Sequence, residues 1–476
     1  MDEESLIITA RRNLAIQYAA RLSPRSPKFQ WPSPPSLLLA VQAHLEDDLF
    51  LSNEGLVPAP NEYQRVFLKT LIDRLSDALA QASDLGDDSE LEVDERLFCR
   101  YTALLSSASS PSLGLRAGPP PPSTIQYLYS RPTSRLPIDE GEGEHGRQSI
   151  LHDLNSILLH EAGTMISRGT TGLRTWEASL ALASHILASF QSSPSPSSEQ
   201  DQKFSLWHSI VRPGARVLEL GSGVGMLGVL CAQLQSDFHL AQQEGSRDPT
   251  LEPAQVYMTD VPGDVLLALS DTVERNNLST SGHVHVAPLD WVELSKSSRE
   301  EEVSDMKGQR IPAPDASELQ IWLKSVAPTT ILATDVAFDP FLCGPLAKTV
   351  RFALEAGDAR KLQEVRQGSR KEGGEQAVTA YIAIPVRNPE TYAIFLQALR
   401  TAHLSFERII ELSAERVRIP PLPDSPSVSA NPPSAPPLLL EGIPIFPSAH
   451  EPLRDGVVEL LQIRLLPSSH RQPTEP

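Results

Sequence analysis

Residues 216–234 read R-V-L-E-L-G-S-G-V-G-M-L-G-V-L-C-A-Q-L. A short apolar run enters three glycines spaced two apart, Gly221, Gly223 and Gly225. Leu227, Leu230, Cys231 and Leu234 then follow at helical spacing. A strand, a tight turn and a helix are expected in that order. A backbone without Cβ atoms lets a ligand sit close against such a turn, and a helix amino terminus presents free N–H groups beside it. Gly221 and Gly223 should therefore line a nucleotide-type pocket.

Working outward, strand and helix patterns alternate from residue 216 onward, which is how a sheet of parallel strands with covering helices is written. Strands are expected at Arg216–Leu220, Val256–Asp260, His283–Pro288, Thr330–Asp335 and Val378–Pro385. A helix near Pro389–Ala402 and two apolar segments, Phe406–Leu412 and Gly456–Leu465, follow. The proline-rich stretch between those two segments reads as a disordered hairpin insertion. Upstream, Phe67, Leu71, Leu75 and Leu79 place an apolar stripe on one helix face, and Ser36–Leu49 and Asp94–Leu105 could pack on it as a small bundle. Residues 106–123 are rich in Ser, Pro and Gly, and Ser192–Gln200 reads as a second linker. Leu151–His160 has a helical pattern, and Thr175 precedes Trp176, Leu180, Ala183 and Leu187 as a candidate N-cap. The expected organisation is a helical region with its Ser/Pro-rich linker over residues 1–140, then a catalytic domain with insertions over 145–476.

Composition narrows the function classes. A net charge of −19 opposes phosphate-rich partners at long range, so no direct nucleic-acid contact is expected. Cys99, Cys231 and Cys343 are scattered without a CxxC pair, which points away from a zinc site or a disulfide framework and towards a reducing compartment. The amino terminus lacks a basic n-region with an apolar core, and no apolar run reaches the roughly 20 residues that span a bilayer. The expectation is a cytoplasmic monomer with no metal and no membrane association.

The glycine spacing distinguishes between ligands. In dinucleotide oxidoreductases the third glycine comes five positions after the first and serves a pyrophosphate. Here E-L-G-S-G-V-G has the methyltransferase form, and Glu219 near the ligand suits a sulfonium or ammonium; the alternative is a solvated strand-end glutamate. Asp260 ends the next strand, where a carboxylate can accept hydrogen bonds from ribose hydroxyls. It lies 37 residues after Gly223, so the polar stretch Gln235–Ala254 must be an insertion. Trp291 follows the third strand where an adenine would lie, or is simply a core residue. Asp335 ends the fourth strand, on the side of the sheet where open α/β folds bind ligands, and could contact the methyl acceptor or cap the next helix.

The combination of G-T-T-G-L-R-T-W-E-A, V-L-E-L-G-S-G-V-G, L-D-W, A-T-D-V-A-F-D-P and V-R-N-P-E-T-Y resembles the seven-β-strand protein-lysine methyltransferases. Within them it looks like the elongation factor 2 lysine methyltransferases, fungal members included, over roughly residues 150–465. The resemblance implies a Rossmann-like class I fold and S-adenosylmethionine as cofactor. It implies cofactor contacts from Trp176, Gly221, Ser222, Gly223, Asp260, Trp291 and Thr334, and an acceptor-side D-x-x-[YF] element running from Asp335 to Phe338. Phe338 stands where related enzymes often carry tyrosine, so a phenolic hydroxyl is lacking there. The partner it implies is a protein substrate, elongation factor 2. Rival readings are the same fold acting on RNA, a small molecule or another protein, a non-catalytic binding protein, and a hydride-transferring oxidoreductase.

Overall fold

The computed structural model describes residues 3–51, 55–84, 92–107, 121–130, 150–164, 166–167, 170–191, 206–243, 252–296, 316–367, 377–412, 444–448 and 455–466. The linkers at 108–120 and 192–200 and most of the proline-rich stretch, 413–443, lie outside them. The chain forms two compact units, one of Met1–Ser167 with Ala414–Ala449 and one of Arg168–Ser413 with His450–Pro476.

In the first unit, helices α1 (Glu3–Ala19), α2 (Pro35–Leu49), α3 (Asn61–Asp84) and α4 (Glu95–Ser107) enclose one core. The apolar stripe on α3 does what its spacing predicts: Phe67, Leu71 and Leu75 are fully buried. Tyr18, Phe29, Trp31, Phe50 and Tyr63 pack edge-on, tilted or stacked around Phe67 with ring centroids within 6.4 Å. Two acidic side chains at the helix seams are paired, Asp48 with Arg11 and Glu46 with Arg100.

The helical expectation for Leu151–His160 is corrected. Leu154–Glu161 is a strand, β2, antiparallel to β1 (Ser123–Ser130). Ile157, Leu159 and Glu161 are buried alternately with their neighbours, a period of two. The run is short enough for Leu151, Leu154 and Leu158 to mimic a helical face, and partner pairing decided the outcome. The proline-rich insertion is also not wholly without structure. Ile445 and Phe446 are buried, and the Phe446 ring packs on Tyr127 and Tyr129 of β1 at 5.9 and 6.0 Å.

The second unit carries α5 (Glu177–Gln191), α6 (Leu206–Val211) and then the expected alternation: β3 (Arg216–Leu220), α7 (Met226–Gln243), β4 (Gln255–Asp260), α8 (Asp264–Arg275), β5 (Val284–Pro288), α9 (Trp291–Ser295), α10 (Ala316–Val326), β6 (Thr330–Thr334), α11 (Pro340–Arg366), β7 (Thr379–Pro385), α12 (Pro389–Thr401), β8 (Leu404–Leu412) and β9 (Val458–Leu465). The polar insertion after Gln235 begins as further turns of α7, which runs to Gln243. The sheet order is β5-β4-β3-β6-β7-β9-β8, with parallel pairing from β5 to β7 and antiparallel pairing on both sides of β9. This is the Rossmann-like class I arrangement. The chain moves outward from β3 to β5 and returns to β6, so the strand order reverses between β3 and β6. That reversal leaves a crevice at the carboxyl ends of these two strands.

Because Leu71 is fully buried at the centre of its stripe, Leu71→Ala should destabilise the first unit by about 2–5 kcal/mol. Hydrogen exchange of the α3 amides should accelerate accordingly, and unchanged protection would show that the stripe is not the core.

Candidate functional site at the strand ends

The turn after β3 is held by its neighbour strand. Ser222 N–H donates to Thr259 O at 2.9 Å, and Thr259 N–H donates back to Ser222 Oγ at 3.0 Å. One step further, Gly223 N–H donates to Asp260 Oδ2 at 2.8 Å, while Val261 N–H donates to Oδ1 at 2.8 Å. Gly221 and Gly223 have φ of 70° and 55°, the left-handed region that glycine enters without strain. A Cβ on Gly221 would lie 2.9 Å from Val336 and 3.4 Å from the Trp291 ring, and one on Gly223 would lie 3.1 Å from the Gly172 carbonyl oxygen. The segment 170–172 therefore passes over the glycine turn. It is secured there by Gly172 N–H donating to Thr170 Oγ1 and by Trp176 Nε1–H donating to Thr171 O, both at 3.0 Å.

Trp176, Gly221, Ser222, Gly223, Asp260, Trp291, Thr334 and Asp335 all lie on this end of the sheet, at or just beyond the carboxyl ends of β3–β6 or on the segment that crosses them. Phe338 follows on the loop into α11 and is 54% exposed. Several side chains behave differently from the sequence reading. Ser222 engages its hydroxyl with the β4 backbone. Glu219 is not a solvated glutamate. It is 2% exposed, its Oε2 has no hydrogen-bond partner among the described residues, and a Cβ on Gly228 of α7 would lie 2.7 Å from that oxygen. Burial pushes its carboxyl up to about 8; hydrogen bonding to Ser222 holds it back and the nearby Asp260 charge adds to the rise. Asp260 is also raised by burial, against the opposing N–H bonds from Gly223 and Val261.

Neither helix-cap reading survives. Thr175 Oγ1 is buried without a hydrogen-bond partner among the described residues, so Thr175 does not cap α5. The cap of α11 is Asp339, whose side chain accepts from Phe341 N–H at 2.9 Å, rather than Asp335. Asp335 itself has φ 55° and donates its N–H to Ala383 O at 2.9 Å. Its carboxylate is held by Arg387, with Nη1–Oδ1 at 2.9 Å and Nη2–Oδ2 at 2.8 Å, and the guanidinium carbon sits 5.2 Å from the Trp176 ring centre. Arg387 was not singled out in the sequence. Its only signal there was its place in V-R-N-P-E-T-Y, immediately before a helix cap.

These residues fit the cofactor the sequence implies. Each Asp260 oxygen uses one of its acceptor positions on the backbone and keeps another for a hydroxyl. Trp291 Nε1 is a buried donor without a hydrogen-bond partner among the described residues beside the glycine turn, and Asp290 before it caps α9 by accepting from Val292 and Glu293 N–H. The Asp260 carboxylate beside the turn suits a hydroxyl-bearing ligand better than a pyrophosphate.

Because the Glu219 carboxyl binds its proton more tightly folded than unfolded, folding stability falls as pH rises from its unfolded value near 4.5 towards 8. Glu219→Gln should therefore flatten the decline in thermal midpoint over that window, as followed by circular dichroism. Equal pH slopes in the two proteins would show that Glu219 titrates normally. Gly221→Arg should displace Trp291 and Val336, so calorimetry should find S-adenosylmethionine binding lost and the thermal midpoint lowered together.

Comparison with known proteins agrees with this geometry. Residues 161–306 match a family model described as lysine methyltransferase. The chain is 28% identical over 295 residues to the protein-lysine N-methyltransferase EEF2KMT of Bos taurus, covering 60% of this chain and 67% of that protein. It is 26% identical to the Homo sapiens protein of the same name, covering 60% and 66%. With the protein-lysine N-methyltransferase EFM3 of Chaetomium thermophilum it shares 25% identity over 362 residues, 75% of this chain and 78% of that one. The chain thus spans about two thirds of the length of the mammalian relatives. A glycine turn locked to a strand-end carboxylate at the reversal point of a seven-stranded sheet, together with these likenesses, makes the chain similar to the S-adenosylmethionine-dependent lysine methyltransferases, with the family match falling on residues 161–306.

Proposed function

We propose that this protein transfers methyl groups from S-adenosylmethionine to a lysine side chain of elongation factor 2, acting as a monomer in the cytoplasm. The observation that carries the reading is the placement of two different groups on either side of the strand reversal. Gly221–Gly223 and Asp260 end β3 and β4, and Asp335 ends β6 with its side chain only 8% exposed. The names of the mammalian relatives, which carry EEF2, support the choice of substrate.

In this reading Gly221, Gly223 and Ser222 present backbone to the cofactor, Asp260 takes its ribose hydroxyls, and Trp291 and Trp176 supply aromatic faces. Thr334, at the end of β6, contributes a backbone contact. S-adenosylmethionine supplies an electrophilic methyl carbon on a sulfonium, so the protein's task is to bring a neutral amine into line with it. Asp335 orients that amine and Phe338 offers an apolar wall beside it. Water takes the ammonium proton.

Incubation of the full chain with radiolabelled S-adenosylmethionine and purified elongation factor 2 should label a lysine of that factor. Label on other proteins of a cell extract but none on the factor would reject the substrate. Asp335→Ala should cut the methylation rate by about tenfold or more while cofactor affinity by calorimetry stays within about threefold. A defect residing wholly in cofactor affinity would place Asp335 on the cofactor side instead.

A further inference from the structure

The motif V-R-N-P-E-T-Y spans residues 386–392, and most of it is absorbed by building α12. Asn388 caps the helix by accepting from Glu390 and Thr391 N–H, and Pro389 occupies the first turn. Arg387 plays no part in that cap, yet its backbone is pinned from two sides. Its N–H donates to Pro385 O at 2.9 Å, and Val386 N–H donates to Val457 O at 2.8 Å. Gly456, at φ 86°, passes so close that a Cβ on it would lie 2.7 Å from Val386 O and 3.0 Å from Arg387 N. From this anchored turn the guanidinium reaches across the strand ends to Asp335 and lies over Trp176. Three segments distant in sequence thus converge on one ion pair, whose arginine side chain is 37% exposed and whose carboxylate is 8% exposed.

We infer that Arg387 is a positioning residue for methyl transfer: it fixes the Asp335 carboxylate and neutralises it, so that the acceptor lysine is oriented without being held as an ammonium. This rests on the acceptor-side reading of Asp335 given above. A bare carboxylate beside a lysine would stabilise the charged ammonium and raise its pKa above its ordinary value of about 10.4. Only the neutral amine has the lone pair that forms the new N–C bond as the C–S bond breaks, its electron pair leaving with sulfur. Pairing with a guanidinium removes the net charge, while the carboxylate keeps acceptor positions for an amine N–H. A planar guanidinium can make the two-pronged bond and lie against an aromatic face together, which an ammonium cannot.

Other charged groups on the surrounding elements include Arg174 and Glu177 flanking Trp176, Asp260 and Glu219 at β4 and β3, Asp339 at α11, Glu390 in the first turn of α12, Asp455 before Gly456 and Glu459 on β9. Asp339 is engaged by the α11 backbone, and Glu459 by Tyr392 and Arg408. Arg387 is the cation bonded to Asp335 among the described residues.

The test uses the full chain as wild type, Arg387→Gln, Arg387→Lys and the double variant Asp335→Asn/Arg387→Gln. Methylation rates are followed from about pH 6.5 to about pH 10 at saturating cofactor on the protein that the wild type labels. Cofactor affinity and thermal midpoint are measured alongside. Arg387→Gln should lose about tenfold in rate near pH 7 and regain most of it at high pH, its profile shifted by about one unit. The double variant should recover the wild-type pH dependence, Arg387→Lys should fall between, and cofactor affinity should stay within about threefold throughout. A wild-type profile for Arg387→Gln, or a loss equal at every pH and unrelieved by Asp335→Asn, overturns the inference. Labelling of a protein other than elongation factor 2 by the wild type rejects only the substrate proposed above, and labelling of none rejects both.

Discussion

The tie between the glycine turn and the end of β4 is the constraint on which the site depends. Ser222 and Gly223 are joined to Thr259 and Asp260 by a ladder of backbone and side-chain bonds that continues the β3–β4 pairing past the end of the strands. Without it the turn would be an ordinary loop and its N–H groups would have no fixed direction. With it, the amino terminus of α7, the Asp260 carboxylate and the Trp291 ring hold set positions around one point. The glycines are needed because protein, and not only ligand, crowds the turn: Val336 and Trp291 at Gly221, and the Gly172 carbonyl at Gly223.

Three carboxylates near this crevice are handled in three ways. Glu219 is sealed under α7 and held by burial towards its neutral form. Asp260 is turned onto backbone N–H groups, and Asp335 is given a full counter-charge by Arg387. Groups of one chemical type are driven apart by environment, which is how a fold assigns different roles to them. The glutamate at the head of the glycine motif accordingly packs beneath the turn, against α7. Gly228, one turn into α7, is the residue whose missing side chain leaves room for it.

Much of this architecture was legible in the amino-acid sequence because strand and helix periods differ and the alternation after Arg216 is sustained. The strand ends carrying Gly221, Asp260 and Asp335 could be read from apolar runs that stop at a glycine or an acid. The β1–β2 hairpin was not legible, since Leu154–Glu161 satisfies both periods over so short a span and only its partner, Ser123–Ser130, decides between them. The burial of Phe446 against that hairpin lay hidden within a proline-rich context. Side-chain pairing was least visible. Nothing local to Asp335 indicates that an arginine 52 residues later will occupy both of its oxygens.

That pairing alters how the acceptor side must be understood. A solitary acid at the end of β6 would attract a lysine ammonium and, by the same electrostatics, resist the deprotonation that methylation requires. In the role proposed for it, an arginine anchored by the Pro385 turn and the close passage of Gly456 removes that resistance while keeping the direction of the hydrogen bond. The cost is modest, because the guanidinium is partly exposed and desolvates little. Trp176 supplies the remaining restraint by lying against the guanidinium face, so the segment 170–176 reaches both halves of the crevice: Gly172 packs on the glycine turn and Trp176 backs the Asp335–Arg387 ion pair.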